Sequence, residues 1–139
     1  MARFAAVIGA INGALAIIAA AFGAHGLKGR LVEGLISARQ LDAFETGAEH
    51  HLYHAVALVL VGLADRQRAG ALDSAAGLFC AGILLFSGSL YLYGLLGITA
   101  VVWITPIGGL ANILGWLAFA YGLARSSGGQ ADRPTRRTS

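Results

Sequence analysis

The stretch from Ser74 to Ala124 has no acidic, basic or histidine side chain. A second such stretch runs from Phe4 to Ala24. A soluble chain of 139 residues cannot enclose apolar segments of this length, because a domain of that size leaves a large part of its surface in contact with solvent. The two stretches therefore predict that the solvent around them is lipid.

The overall composition supports this interpretation. Hydrophobic residues make up 57% of the chain and charged residues 12%, whereas soluble domains commonly have about 25% charged residues. The net charge of +3 does not indicate a nucleic-acid-binding protein. Four of the ten basic residues follow the last apolar run, where basic side chains set membrane orientation or meet anionic headgroups; they are Arg125, Arg133, Arg136 and Arg137.

The apolar runs divide into segments of about 20 residues, the length that crosses a bilayer as a helix. Gly94, Gly97 and Thr99 mark a turn within the longest run, and Pro106 falls near a helix start, where its missing N–H is least harmful. We expect one all-α domain over residues 1–125, a membrane-spanning bundle, followed by a disordered basic cytoplasmic tail over residues 126–139. The four transmembrane helices are predicted at residues 4–24, 47–64, 75–96 and 102–124.

The first apolar run has an alternative interpretation as a cleaved signal peptide. Residues 19–24 include the small side chains that suit a cleavage site. The apolar run is longer than the core of about 7–15 residues found in signal peptides. We therefore expect a retained transmembrane helix.

The second predicted helix is the least regular. Its wholly apolar part, Ala55 to Ala64, covers only about 15 Å, so the helix must begin near Ala43 or Gly47. It then carries polar residues on its first turns, at or below the headgroups. Residues 26–49 before it mix charged residues with apolar residues at helical spacing. This pattern predicts an amphipathic segment at the membrane surface between the first two transmembrane helices.

Lysine and arginine are unevenly distributed between the two ends of the predicted bundle. With four helices, seven basic residues fall on the side of the termini, and three fall on the other side: Lys28, Arg30 and Arg39. Because basic residues are enriched in cytoplasmic segments, we expect both termini to be cytoplasmic.

Four histidines form the main candidate site. His25 ends the first predicted helix, while His50, His51 and His54 open the second, so the topology places all four at the non-cytoplasmic end. With Glu49 they could bind a metal ion, a haem or a proton, because imidazole is a common ligand that titrates near neutral pH. The alternative is interfacial anchoring by polar and aromatic side chains at headgroup depth. The candidate metal ligands are therefore His25, His50, His51, His54 and Glu49, and no cofactor is predicted with them.

A further set of small and amide residues predicts helix–helix contacts, since small side chains let helices approach closely in lipid. These contacts fall within the bundle or, as an alternative, between two copies of the chain. Ser87 is not predicted to be a nucleophile, because it lacks the strand–turn–helix context of a hydrolase. The candidate packing residues are Gly9, Asn12, Gly13, Ser87, Gly88, Ser89 and Asn112.

Five motifs, in this order, resemble the domain-of-unknown-function 423 family of small bacterial membrane proteins, which has relatives among animal mitochondrial membrane proteins. The resemblance implies a multi-spanning inner-membrane protein and supplies no reaction, cofactor or catalytic residue. The motifs are Gly23 to Gly26, His50 to His54 with Ala57-Leu58, Phe86 to Tyr91, Thr105 to Gly109, and Gly115-Trp116.

The sequence shows no catalytic constellation, so we expect a non-enzymatic accessory or assembly protein in the membrane. Its expected partners are the lipid bilayer and either a second copy or another membrane protein, and not a nucleic acid. Two alternatives stay open: a metal- or haem-binding protein that uses the histidines, and a small transporter or channel subunit.

Overall fold

The computed structural model of the chain describes residues 2–65 and 72–128, except for the side chains of residue 3 and residues 126–128. The described residues form helices and short connections, with no strand among them. Two π-helical turns, Gly23–Leu27 and Ile83–Ser87, join consecutive helices, and a 3-10 helix, Thr99–Ile104, precedes the last one. The α-helices are α1 (Ala2–Phe22), α2 (Lys28–Val32), α3 (Ala38–Asp65), α4 (Asp73–Gly82), α5 (Gly88–Leu96) and α6 (Thr105–Gly128).

Three helical stretches of the described chain are long and apolar enough to cross a membrane: Phe4–Val32, Asp73–Leu96 and Thr99–Arg125. They contain the predicted helices 4–24, 75–96 and 102–124. Large apolar side chains such as Ile18 and Leu117 lie exposed on their outer surfaces, as lipid-facing side chains do. The predicted all-helical fold is confirmed for the described residues, and three of the four predicted transmembrane helices have the length and apolar composition to cross a membrane.

Helix α3 is not one of these three stretches. Its N-terminal half carries Arg39, Asp42, Glu45 and Glu49, and these charges lower its hydropathy. The helix is nevertheless continuous over 28 residues, which at helical rise is about 42 Å. Helix α3 is thus long enough to cross a bilayer. It differs from the three apolar stretches in the charged residues of its N-terminal half.

The structure divides the predicted amphipathic segment 26–49 between two elements. Its first residues continue the first helix to Val32, where Gly34 adopts a left-handed conformation with φ of +72°. Its last residues are the opening turns of α3. The apolar spacing of Leu41, Phe44 and Ala48 therefore belongs to the buried face of α3.

Helix α3 begins earlier than the predicted 47 because Ser37 and Gln40 cap it. The Gln40 backbone N–H donates to Ser37 Oγ (3.3 Å), and the Ser37 N–H donates to Gln40 Oε1 (3.0 Å). This reciprocal arrangement is a capping box, which satisfies two amide groups at a helix start. The charged residues that follow do not interrupt helical hydrogen bonding, since Arg39, Asp42 and Glu49 are exposed on the helix surface.

Helices α1 and α3 pack antiparallel along their lengths. At one level the Gly9 backbone lies against Ala55 and Val59, and towards the start of α1 the Ala6 backbone lies against Gly62. Helices α4 and α6 approach each other in the same way, with Gly115 against the ring of Phe79. Side chains at these glycines would overlap the neighbouring helix, so the glycines set the interhelical distance.

Two apolar clusters stabilise the two ends of the bundle. One joins the start of α1, the end of α3, the start of α4 and the end of α6 through Ala2, Val61, Leu72 and Phe119. The other joins the segment after α1 to the start of α3, through Leu27, Ile36, Leu41 and Phe44. The start of α1 and the end of α6 therefore lie at the same end of the bundle.

The turn between α5 and α6 lies where the sequence predicts it. Gly97 adopts a left-handed conformation with φ of +69°, and its N–H donates to the Tyr93 carbonyl at 2.8 Å. This arrangement ends α5. Pro106 is the second residue of α6. Arg66 and Arg68, two of the seven basic residues assigned to the side of the termini, lie outside the described residues, as do residues 129–139 of the predicted tail. Residues 126–128 continue α6.

Candidate functional site

A chain of hydrogen bonds joins three helices through Asn12, His51 and Tyr91. His51 Nε2 lies 3.0 Å from Asn12 Oδ1, and His51 Nδ1 lies 3.1 Å from the Tyr91 hydroxyl. Asn12 Nδ2 donates to the Ile8 carbonyl at 2.9 Å. Because an amide oxygen only accepts, Nε2 of a neutral His51 is the donor and Nδ1 accepts from Tyr91. Both ring nitrogens of His51 are therefore occupied.

This chain lies half-way along the bundle. His51 follows the start of α3 by thirteen residues, or about 20 Å at helical rise, and the end of the helix is about as far away. The sequence places the histidines on the first turns of the second helix, at the non-cytoplasmic end. The predicted position on the first turns is wrong, because the helix begins at Ala38 and not near Ala43 or Gly47.

His50 and His54 lie on another side of α3. Each Nδ1 bonds to the carbonyl four residues earlier: His50 to Thr46 at 3.0 Å and His54 to His50 at 2.7 Å. Their rings stack with centroids 6.4 Å apart and an interplanar angle of 23°. Since a carbonyl only accepts, each Nδ1 carries the proton, and each neutral ring keeps a lone pair on Nε2.

Aromatic rings from α4, from α6 and from the π-helical turn between α4 and α5 surround these two histidines. The His50 ring lies 4.7 Å from that of Phe86, and the His54 ring lies 5.7 Å from Phe79 and 6.5 Å from Trp116. The surroundings are thus apolar, and the spacing of four residues between His50 and His54 brings their rings together on one face of the helix.

His25 and Glu49, the other predicted ligands, lie elsewhere. His25 is exposed in the π-helical turn after α1, near the level of Phe44. Glu49 is exposed beside a groove between α1 and α3 that Ala16 and Ala20 also line. Among residues 2–65 and 72–128, no three histidine, cysteine, aspartate or glutamate side chains are grouped as a metal site would require.

The predicted packing residues fall into two sets. Gly9 and Ser87 lie buried between helices, and Ser89 Oγ donates to the Phe86 carbonyl (2.9 Å) and lies 2.7 Å from Thr105 Oγ1, which connects α5 to α6. A Cβ at Gly13 or Gly88 would have no atom of a neighbouring helix within 4 Å. Only part of the small-residue pattern is therefore used inside the bundle.

Asn112 is buried in α6, with 5% of its surface exposed. Its Oδ1 has no hydrogen-bond partner in the described part of the chain, and it lies so close to Gly82 of α4 that a Cβ there would overlap it. Asn12 Oδ1 is bonded to His51. The two asparagines therefore do not pair with each other.

Sequence reasoning did not find the bonds of His51 to Asn12 and Tyr91, or of Ser89 to Thr105. Asn12 and His51 are 39 residues apart, and Tyr91 is 40 residues from His51. The available signal is that apolar helices rarely tolerate a polar side chain without a partner on another helix. This rule identifies Asn12, His51 and Tyr91 as residues that need a partner, but it does not predict which of them bond to each other.

The chain matches the family described as "Protein of unknown function (DUF423)" over residues 19–109. It is 42% identical over 113 residues to the UPF0382 membrane protein YwdK of Bacillus subtilis, an alignment that covers 80% of this chain and 88% of that protein. It is 35% identical over 117 residues to a UPF0382 membrane protein of Haemophilus influenzae, covering 84% of this chain and 90% of that protein. No solved structure matches the chain. On the family match and these two relatives, the chain belongs to the DUF423 family of membrane proteins.

Proposed function

We propose that this chain is a four-span, non-enzymatic protein of the bacterial inner membrane, with both termini cytoplasmic, that acts as an accessory or assembly partner of other membrane proteins. The observation that carries the proposal is the Asn12–His51–Tyr91 chain. Its polar groups bond to one another and to the backbone. Polar side chains used in this way hold helices together and do not face a substrate.

The packing of α3 supports its assignment as the fourth span. It lies along α1 from Phe44, which packs beside Gly23, to Gly62, which packs beside Ala6. A helix that follows a transmembrane helix over this length crosses the same thickness of lipid. The charge of Glu45 is offset by Lys28, whose Nζ lies 3.8 Å away.

The orientation rests on the distribution of basic residues. The start of α1 and the start of α4 lie together, since the Ala2 N–H donates to Asp73 Oδ1, and the end of α6 joins the same apolar cluster. Seven of the ten basic residues belong to this side by sequence. Because positive residues are retained on the cytoplasmic side, this end is assigned to the cytoplasm.

The outer faces of the bundle support an accessory role. Exposed side chains such as Ile17, Ile18, Ile113 and Leu117 cover α1 and α6. These faces contact lipid and are also the surfaces that another transmembrane helix would pack against. A homo-oligomer or a complex with a different membrane protein would use the same faces.

A metal- or haem-binding protein is the second candidate, and His50 and His54 favour it. Each donates Nδ1–H to a backbone carbonyl, which is the arrangement that orients metal-bound histidines through their other nitrogen. Their Nε2 lone pairs would be the ligand atoms. A third ligand would have to come from a partner or from a solvent molecule.

One preparation separates the two candidates. The tagged chain is purified from its own host membranes in mild detergent, then assayed for metal content, for a visible absorption spectrum and for mass on a native gel. The accessory role predicts a metal-free, colourless complex that contains a second membrane protein at fixed stoichiometry. Metal or haem at one equivalent, lost in His54→Ala and retained in His25→Ala, would establish the second candidate instead.

A further inference from the structure

A pocket of about 580 Å³ opens at the end of the bundle opposite the termini. It lies between α3, α5 and the 3-10 helix that leads into α6. Ala43, Leu90, Val102 and Pro106 form its apolar lining, and Arg39 and Trp103 also line it. A volume in the range of about 300–1,000 Å³ is typical of small-molecule sites.

Arg39 is the one charged side chain among the described residues that line this pocket. It is exposed and makes no ion pair with another residue of the described chain. The nearest acid along α3 is Asp42, which is exposed and does not line the pocket. The pocket therefore combines an apolar interior with an uncompensated positive charge.

Trp103 places the pocket at the edge of the lipid. Trp103 is 84% exposed and lies in the 3-10 helix Thr99–Ile104, which follows the turn at Gly97. Tryptophan is enriched at headgroup depth, where an aromatic ring meets both hydrocarbon and polar groups. A ligand in this pocket would thus have its polar end at the headgroups and its apolar end within the bilayer.

We infer that this pocket binds one anionic phospholipid of the adjacent leaflet, with the phosphate on Arg39 and an acyl chain against Ala43, Leu90 and Val102. The positive charge complements the headgroup, because guanidinium matches phosphate geometry. The apolar lining selects a lipid over a free anion, which would leave those side chains exposed. The inference goes beyond the proposed accessory role and rests only on the lipid surroundings of the bundle.

The test is a lipid titration of the purified full-length chain in a neutral detergent. Thermal stability and bound lipid, measured by native mass spectrometry, are followed during addition of phosphatidylglycerol, phosphatidylcholine or inorganic phosphate. Phosphatidylglycerol is expected to raise the melting temperature and to remain bound at one equivalent. The inference would be overturned if phosphatidylcholine raised the melting temperature and remained bound to the same extent. It would also be overturned if inorganic phosphate alone raised the melting temperature by as much as phosphatidylglycerol.

Substitutions at Arg39 and Ala43 test whether the lipid binds in this pocket. Arg39→Gln is expected to weaken phosphatidylglycerol binding about fivefold, the effect of one cation at a membrane surface, and Arg39→Lys is expected to retain most of it. Arg30→Gln removes a cation that does not line the pocket and serves as the matched control. Ala43→Phe fills the apolar part with Arg39 intact and is expected to release the lipid. Unchanged binding in either Arg39→Gln or Ala43→Phe would contradict the assignment.

Discussion

His51 of α3 and Asn12 of α1 are hydrogen-bonded half-way along the bundle, with 3.0 Å between His51 Nε2 and Asn12 Oδ1. Tyr91 of α5 bonds to the other ring nitrogen of His51. A single imidazole therefore connects three helices. Apolar side chains gain little free energy by moving from contact with lipid to contact with another helix. Helices in lipid are therefore held together by hydrogen bonds of this kind and by close packing.

The Asn12–His51 bond predicts energetic coupling between the two side chains. His51→Leu leaves Asn12 Oδ1 and the Tyr91 hydroxyl without their partner, so we expect the free energy of unfolding to fall by about 1–3 kcal/mol. In a double-mutant cycle with Asn12→Leu, the coupling energy is expected at about 0.6–1.7 kcal/mol, from the average to the maximum typical of hydrogen bonds between membrane helices. The measurement is reversible unfolding in mixed micelles.

The control for this cycle is Asn12→Leu combined with His25→Leu, since His25 is exposed in the turn after α1. That pair is expected to be additive. A coupling near zero for Asn12 with His51, equal to the control, would show that the bond does not contribute to stability.

Gly9 and Gly13 provide a matched pair of substitutions on α1. A Cβ at Gly9 would lie 2.7 Å from the Ala55 carbonyl oxygen and 2.7 Å from the Val59 nitrogen, whereas a Cβ at Gly13 meets nothing within 4 Å. Gly9→Ala is therefore expected to lower the free energy of unfolding by about 1–3 kcal/mol. Gly13→Ala is expected to leave it unchanged or raise it by up to about 1 kcal/mol through helix propensity.

The same unfolding assay measures both variants. Equal losses in Gly9→Ala and Gly13→Ala would mean that the whole small-residue step is an interface, for example with a second copy. A loss confined to Gly13→Ala would contradict the α1–α3 packing.

The sequence predicts most of this fold because three of its helices carry no charge over their apolar runs. Gly97 and Pro106 also mark the final turn correctly, since each has a strong local preference. The start of α3 was missed, because Arg39, Asp42, Glu45 and Glu49 lower hydropathy without preventing helix formation. The capping box of Ser37 and Gln40 is the local signal that identifies it.

We predict that replacing Asn112 by leucine does not destabilise the bundle. Its Oδ1 is buried and has no hydrogen-bond partner among the described residues, so a buried acceptor is left unsatisfied. Asn112→Leu, which has a similar shape, is expected to leave the free energy of unfolding unchanged or to raise it by about 1 kcal/mol. The measurement is again unfolding in mixed micelles.

Asn12→Leu is the comparison for Asn112→Leu, because the Asn12 amide is bonded at both its oxygen and its nitrogen. It is expected to destabilise. If Asn112→Leu destabilised as strongly, Asn112 would have a partner that bonds it in the membrane, and the interpretation of it as an unsatisfied acceptor would be wrong.

The candidate site could be predicted from sequence only in part. The spacing of His50 and His54 brings their rings together, because residues four apart share a helix face. The depth of the histidines was not predictable without the start of α3. The pairing of Asn12 with His51 and Tyr91 depends on how the helices rotate and align, which a local pattern does not specify.

Cysteine labelling tests most directly whether α3 crosses the membrane, which would place His51 within the bilayer. In a Cys80→Ser background, Leu35→Cys lies in the connection before α3 and Ile98→Cys lies in the turn before α6. Thr138→Cys reports the side of the C-terminal residues. Right-side-out inner-membrane vesicles are treated with a membrane-impermeant maleimide, before and after permeabilisation.

Four spans predict that Leu35→Cys and Ile98→Cys are both labelled in intact vesicles, and that Thr138→Cys is labelled only after permeabilisation. If α3 did not cross, three spans would put residues 35 and 98 on opposite sides. Labelling of only one of these two in intact vesicles would contradict the account.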